Sequence, residues 1–375
     1  MGTEPYEVDP KQYDVSRRRF LRNAGVAAAA VPFLGTLTEV LTERGASAQS
    51  FRDSNVPFFA SHPSYKFTFV NHVTTNTFFT PTIYGLQDAA TILGIPAPAW
   101  TGSTTSLATD MTTAISSAIA AGVNGISTTI IDPTAFTGPI ANALAKGIPV
   151  VAYNADEVGP NGLPTTARMA YVGQNNLTAG AAAAERIVAS GLVSKGDLVA
   201  GVIATPGTGN IQPRIDGAKP TFLKAGYDFK EVGTSATQAQ EEPLLEQWYL
   251  GNKDVKAFYC VDSGDSIAAA TIIGKYNLGG KVGGSGWDIG LPVLQQVQKN
   301  DLLFTIDQQA YLQGFIPTIQ LFLYNISGGL MKPCNTDTGL GFVTSANVGP
   351  YLTTASRFEG SSKAEVALKP PAKIG

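Results

Sequence analysis

Past Lys66 the chain alternates short apolar runs with longer segments of helical periodicity. Lys66 to Val73 is rich in aromatic and β-branched residues and predicts a strand, then a loop over Thr74 to Pro81 and a helix through Leu93. Leu107, Met111, Ile115 and Ile119 recur every four residues and mark the buried face of a second helix. Gly122-Val123-Asn124-Gly125 breaks it, and Ile126 to Ile131 predicts the next strand. Ile140 to Lys146 reads as a helix closed by Gly147-Ile148-Pro149, with a strand over Val150 to Asn154. The second half repeats the plan. Helices are expected over Ala179 to Ala189, Ile215 to Lys224, Ser266 to Tyr276 and Leu291 to Lys299. Strands are expected over Leu198 to Ala204, Ala257 to Val261, Val282 to Trp287 and Leu303 to Asp307. The apolar helix Phe315 to Leu323 is too short to span a bilayer and reads as buried core.

Strands alternating with helices at this spacing predict an α/β protein of two doubly wound parallel-sheet lobes. In such sheets a ligand crevice lies beyond the carboxyl ends of the strands, so the residues just after each strand carry the chemistry. Those are Asn76 with Phe78 and Phe79, Asn154, Asp156, Asp262, Asp288 and Gln308, with Arg214 at the start of a helix. Amides, carboxylates and one guanidinium beside aromatic faces suit a neutral polyhydroxylated ligand: oxygens accept from hydroxyls, nitrogens donate, and rings pack on C–H faces.

Each residue also has a plainer reading. Asn76 is at home in a turn, and one of Phe78 and Phe79 can be core. Arg214 can start a helix and pair with Asp216, Asp288 can cap the following helix, and Gln308 can bond backbone. Gly207-Thr208-Gly209 lacks the third glycine of a dinucleotide loop, and Gly283-Gly284-Ser285-Gly286 fails the spacing of a nucleophile elbow.

Composition narrows the classes. The 375 residues are 44% hydrophobic and 15% charged, with a formal net charge of −3, which leaves no basic footprint for nucleic acid. The histidines are His62 and His72, and the two cysteines stand far apart, so neither a metal centre nor a cofactor is expected. Cys260 sits in an apolar run and reads as a buried thiol, with a disulfide to Cys334 left open.

The amino end has its own pattern. Ser16-Arg17-Arg18-Arg19-Phe20-Leu21 precedes an uncharged apolar run from Ala24 to Leu37, and Ala46-Ser47-Ala48 supplies small residues for cleavage before Gln49. Residues 1–48 therefore read as a twin-arginine export signal, which places a soluble mature chain outside the cytoplasm. No Cys precedes Cys260 to take an amino-terminal lipid.

Six segments together resemble the ribose-type (type I) periplasmic binding proteins of sugar ABC transporters. They are Asn76-Thr77-Phe78-Phe79, Gly122-Val123-Asn124-Gly125-Ile126, Gly147-Ile148-Pro149-Val150-Val151, Arg214-Ile215-Asp216-Gly217, Gly286-Trp287-Asp288 and Thr305-Ile306-Asp307-Gln308-Gln309. The resemblance runs from about residue 65 to 353, in the family's order and spacing. It implies two lobes joined by three chain crossings that close on a sugar. The implied division is a lead-in over 49–64, an N-terminal lobe of 65–172 plus 309–341, a C-terminal lobe of 173–308 plus 342–358, and a tail from 359. It implies that Asn76 hydrogen-bonds the sugar, that Phe78 and Phe79 flank it, that Arg214 and Asp288 reach in as donor and acceptor, and that Gln308 sits at the hinge. The family's amide before an acid falls on Val261-Asp262, which points to Asp262. Where the family carries Asp-Arg after the fourth strand this chain has Asn154-Ala155, a departure from ribose towards another pentose, a hexose or a sugar alcohol. Asp156 and Trp100, the latter after the second strand region, are the candidates to compensate.

The function this implies is non-enzymatic: capture of a monosaccharide or polyol by a monomer that delivers it to an ABC permease. A receptor subunit for a membrane signalling protein uses the same chemistry. A glycosidase using Asp262 and Asp288 would need the two carboxyls flanking one bond. A repressor of the lac type would need a basic helix-turn-helix where the leader stands. Replacing Arg17 and Arg18 by Lys is expected to leave the precursor in the cytoplasm, as read by fractionation; normal export of that variant would sink the assignment.

Overall fold

In this computed structural model the described residues are 61–158, 163–235, 237–353 and 357–358. Of the expected leader, lead-in and tail, only 61–64 fall inside them. The apolar runs assemble into two parallel sheets that share one strand order. The first contains β1 (Phe67–Asn71), β2 (Ala99–Gly102), β3 (Gly125–Thr128), β4 (Val150–Tyr153), β5 (Ala170–Gly173) and, from far along the chain, β11 (Thr336–Asp337), in the order β11-β5-β4-β3-β1-β2. The second is β7-β6-β8-β9, formed by β6 (Leu198–Ile203), β7 (Asp228–Gly233), β8 (Val255–Cys260) and β9 (Gly283–Ser285). A parallel bridge from Ser285 to Phe304 carries it on to β10 (Thr305–Asp307), which pairs antiparallel with β12 (Gly341–Val343). In each sheet the opening strand, β1 or β6, lies between its two successors. That places the switch in winding direction, where a crevice opens, at the carboxyl ends of β1 and β3 and of β6 and β8.

Helices cover both faces, which is why the strands read as continuous apolar runs: all five residues of β1 and all six of β6 are buried. In the first lobe α1 (Thr80–Leu93), α2 (Ala108–Ala120) and α3 (Thr137–Ala145) join α9 (Leu312–Ile326), which arrives from the other end of the chain to pack on α1. In the second, α4 (Asn176–Ala189) packs on α5 (Gln212–Ala225), α6 (Gln238–Gly251) lies on α7 (Ser263–Lys275), and α8 (Leu291–Lys299) meets α10 (Gly349–Thr353). The chain passes between the sheets three times: from β5 into α4, from β10 into α9, and from β11 into β12.

Several elements differ from the sequence expectation. β2, β5, β7, β11, β12, α6 and α10 went unread: β2, β5, β11 and β12 carry too few residues to show a period, the six-residue edge strand β7 buries only Val232, and α6 contains Pro243, an ordinary helix breaker. Trp100 lies within β2 instead of following a strand. Of Leu107, Met111, Ile115 and Ile119, the last three are buried, while Leu107 is the exposed residue preceding α2. Arg357 and Phe358, expected with the second lobe, instead return to the first. Arg357 pairs with Asp88 at 2.7 Å and covers the Tyr84 ring, and Phe358 meets Tyr311 edge-on. Cys260 is buried and Cys334 exposed, and both thiols are free.

The α4–α5 contact places a site residue. A Cβ on Gly180 would stand 2.1 Å from the Arg214 carbonyl oxygen, and one on Gly217 would stand 1.9 Å from that of Leu177. Only glycines let these backbones approach so closely. Gly180→Ala is expected to destabilise the protein by about 1–3 kcal/mol through overpacking, read as a lower urea midpoint at unchanged slope.

Candidate functional site

At the carboxyl end of the first sheet, Asn71 closes β1 and donates from Nδ2 to the Tyr153 hydroxyl at 2.9 Å. Asn76 caps a 3-10 turn over Thr77–Phe79 by accepting the Phe78 N–H at 2.9 Å, and it is exposed. Of the two phenylalanines after it, Phe79 is core with Phe69, Leu86 and Tyr153, while Phe78 and Trp100 are half-buried against that cluster. The result is an aromatic floor with Phe78 and Trp100 at its edge.

The second lobe is organised around Arg214. It stands in the first turn of α5, where the helix dipole disfavours a cation, and it is 4% exposed. Nε donates to Asn176 Oδ1 at 3.0 Å, Nη1 to the Val261 carbonyl at 2.7 Å, and Nη2 to Gln308 Oε1 at 3.4 Å. The guanidinium lies 4.5 Å from the ring centre of fully buried Trp287. Burial pulls its pKa down and the nearby Asp288 carboxylate opposes that. It is not paired with Asp216.

Asp288 does not cap α8, whose preceding residue is Gly290. Its Oδ1 accepts Gln308 Nε2 at 2.6 Å, and burial pushes the carboxyl up to about 6 against the pull of Arg214 and Gln308. Gln308 also meets Gln313, whose Nε2 reaches the Gln308 carbonyl at 3.0 Å and its Oε1 at 3.4 Å. Gln313 Oε1 in turn accepts Asn154 Nδ2 at 3.0 Å. Asn154, Gln313, Gln308, Arg214 and Asp288 therefore form one buried hydrogen-bonded chain from the first sheet, past the β10–α9 crossing, to the second. Three of its turns are conformationally costly: Asn154, Asp288 and Gln309 have φ of +61°, +74° and +56°.

Two expected residues have carboxylates engaged by other partners. The Asp156 carboxylate faces Arg168 in an ion pair whose side chains are about 95% shielded, with Nε to Oδ1 at 2.8 Å. Asp262 caps α7, accepting the Asp265 N–H at 2.9 Å and the Ala204 N–H at 3.3 Å. Its carboxylate joins those of Glu241 and Asp265.

Sequence reading missed Gln313, Asn176 and Glu157. Gln313 and Asn176 sit in first helical turns instead of at strand ends. Glu157, after β4, is half-buried and accepts the Gly209 N–H from the loop before α5, so the lobes touch across the crevice there. No local spacing announces a contact between residues so far apart in sequence.

Comparison with known proteins agrees with the fold. The sequence profile of the periplasmic binding protein domain family matches residues 67–323. The chain is 39% identical, over 94% of its length and 91% of the relative's, to the xylose/arabinose-binding protein XylF of Sulfolobus acidocaldarius. Among solved structures it is similar to an ABC transporter solute-binding protein of Burkholderia graminis in complex with D-arabinose (TM-score 0.70, 22% identity, 77% of this chain and 99% of that one). It is similar as well to GanP, a glucose–galactose-binding protein of Geobacillus stearothermophilus (TM-score 0.68, 23% identity, 77% and 100%). These two establish a shared fold.

Gln313→Ala would strip partners from the Asn154 amide and the Gln308 carbonyl at once. It is expected to destabilise by about 1–3 kcal/mol, measured by chemical denaturation.

Proposed function

The chain belongs to the periplasmic binding protein family, and on that premise we propose that it captures a neutral aldopentose between its two lobes, outside the cytoplasm, and delivers it to an ABC permease. The observation that carries the reading is the hydrogen-bonded chain from Asn154 to Asp288, which presents amide, guanidinium and carboxylate groups at the end of an aromatic floor. The kinship with a xylose/arabinose-binding protein supplies the sugar class.

Arg214 has five N–H donors, and the three bonds named above leave two for hydroxyls. The Asp288 carboxylate is the acceptor opposite them. Asn76 and the edge of Phe78 and Trp100 flank the sugar from the first lobe, while Phe79 supports them from beneath. Charge-assisted bonds contribute about 1.5–3 kcal/mol each once water is excluded, so closure at the hinge and binding reinforce one another. Export by the twin-arginine route, with Arg17 and Arg18 as its signal, belongs to the same reading, as does a monomeric state. Asn154-Ala155, in place of an acid and a base, turns the pocket from ribose towards xylose or arabinose.

Calorimetry and thermal melts against D-xylose, L-arabinose, D-arabinose, D-ribose and D-glucose test this. A pentose at about 100-fold excess over its Kd should stabilise the protein by about 2.7 kcal/mol, a shift of several degrees. No response to any of the five would overturn the proposal. Arg214→Lys should weaken pentose binding by about tenfold or more, since an ammonium cannot reproduce the fork of donors.

Asp288 predicts a pH dependence of opposite sign for binding and for stability. Its raised pKa favours the protonated folded state, so its contribution to stability grows as pH falls through about 6 and is lost as pH rises. Protonation also removes a charged acceptor, so pentose affinity should fall between about pH 7 and about pH 5. Asp288→Asn should flatten that profile.

A further inference from the structure

Apart from the crevice, three carboxylates meet where α6 and α7 begin beside β8. Glu241 stands in the first turn of α6, Asp265 in the first turn of α7, and Asp262 caps α7. One oxygen from each lies within 4.8 Å of the others. Glu241 is 5% exposed and Asp265 fully buried. The backbone holds Asp262, and Thr234 Oγ1 donates to Asp265 Oδ1 at 2.6 Å. Glu241 Oε2 and Asp265 Oδ2, both shut off from water, have no hydrogen-bond partner. Glu241 reaches this position over Gly264, where a Cβ would stand 1.6 Å from Oε2. Buried carboxylate oxygens without donors are strongly unfavourable unless a proton or a cation answers them. Burial, with Asp262 beside it, pushes the Glu241 carboxyl up to about 8, and Asp265 is raised by the same causes. The Cys260 thiol close by is pushed up too, which leaves oxygen as the donor type of the cluster.

We propose that Glu241, Asp262 and Asp265 bind one hard divalent cation, with calcium the best match. Three carboxylates drawn from two helices form an all-oxygen set of the kind that takes calcium, magnesium or manganese, and calcium tolerates the least regular geometry. The ion would answer the two unpartnered oxygens and tie α6 to α7. The site adjoins the Val261 carbonyl that anchors Arg214, so filling it steadies the second-lobe side of the crevice. Asp262 then serves the cation and not the sugar. The inference stands whether or not the crevice takes a pentose.

The full chain, stripped with chelator, is titrated separately with calcium, magnesium and manganese chloride by calorimetry and followed by thermal melts. The expected result is a single-site calcium isotherm and a Tm rise of several degrees at about 100-fold excess over Kd. Glu241→Gln should weaken calcium binding by at least about tenfold, by removal of a charged ligand. Its metal-free Tm should equal or exceed that of the wild type, because like-charge repulsion is relieved, and its sugar response should match that of the wild type when both are metal-free. Asp265→Asn repeats the test if Glu241→Gln does not fold. Absence of binding to all three cations overturns the proposal, as does a Glu241→Gln variant with full calcium affinity. A Tm that rises on acidification from about pH 8 to about pH 5 more steeply in the wild type than in Glu241→Gln, and ignores every cation, identifies a shared proton instead, and also overturns it.

Discussion

A guanidinium buried at 4% exposure can persist only if its surroundings supply acceptors, and the second lobe is arranged around that demand. Arg214 is met by an amide from α4, a carbonyl at the end of β8, an amide at the β10–α9 crossing and the face of Trp287. Each partner comes from a different element, so the cation fixes their relative positions. The price of that burial also prepares the site: a desolvated guanidinium with donors remaining is a strong partner for hydroxyls that replace water.

Amides carry the connection between the sheets. Gln308 and Gln313 can donate and accept at once, so a single line of side chains runs from Asn154 to Asp288 with no charge at its middle. A neutral relay suits a crossing between two sheets. It satisfies buried polar groups without the desolvation cost of an ion pair, and its bonds are individually modest. Charge is kept to the second-lobe end, where Arg214 and Asp288 oppose each other, and to the outer edge, where Asp156 and Arg168 hold β5 to the segment leading into β11 through Asn335.

The two lobes solve one packing problem twice. Each winds its sheet in both directions from an inner strand, and each joins a pair of helices through glycines. Gly85 and Gly314 bring α1 and α9 together, as Gly180 and Gly217 do for α4 and α5. A Cβ on Gly85 would lie 2.1 Å from the Tyr311 carbonyl, and one on Gly314 would lie 2.0 Å from that of Thr82. Both contacts stand next to a crossing segment, so helix separation and site geometry are set together.

Period and punctuation in the chain decided the alternation of strands and helices, the parallel sheets and the end of those sheets at which polar groups gather. Burial on both faces leaves continuous apolar runs, and glycine and proline mark where they stop. Arg214, Asp288, Gln308 and Asn154 were legible for the same reason, since three follow strands and one opens a helix. Tertiary structure alone decided which of the polar residues meet. Gln313 joins Asn154 across 159 positions, Arg168 engages Asp156, and the Asp265 and Ala204 N–H groups hold Asp262 beside two other carboxylates. Those pairings depend on distances between elements brought together by sheet order and helix crossing, and a local pattern of residue types contains no such distances.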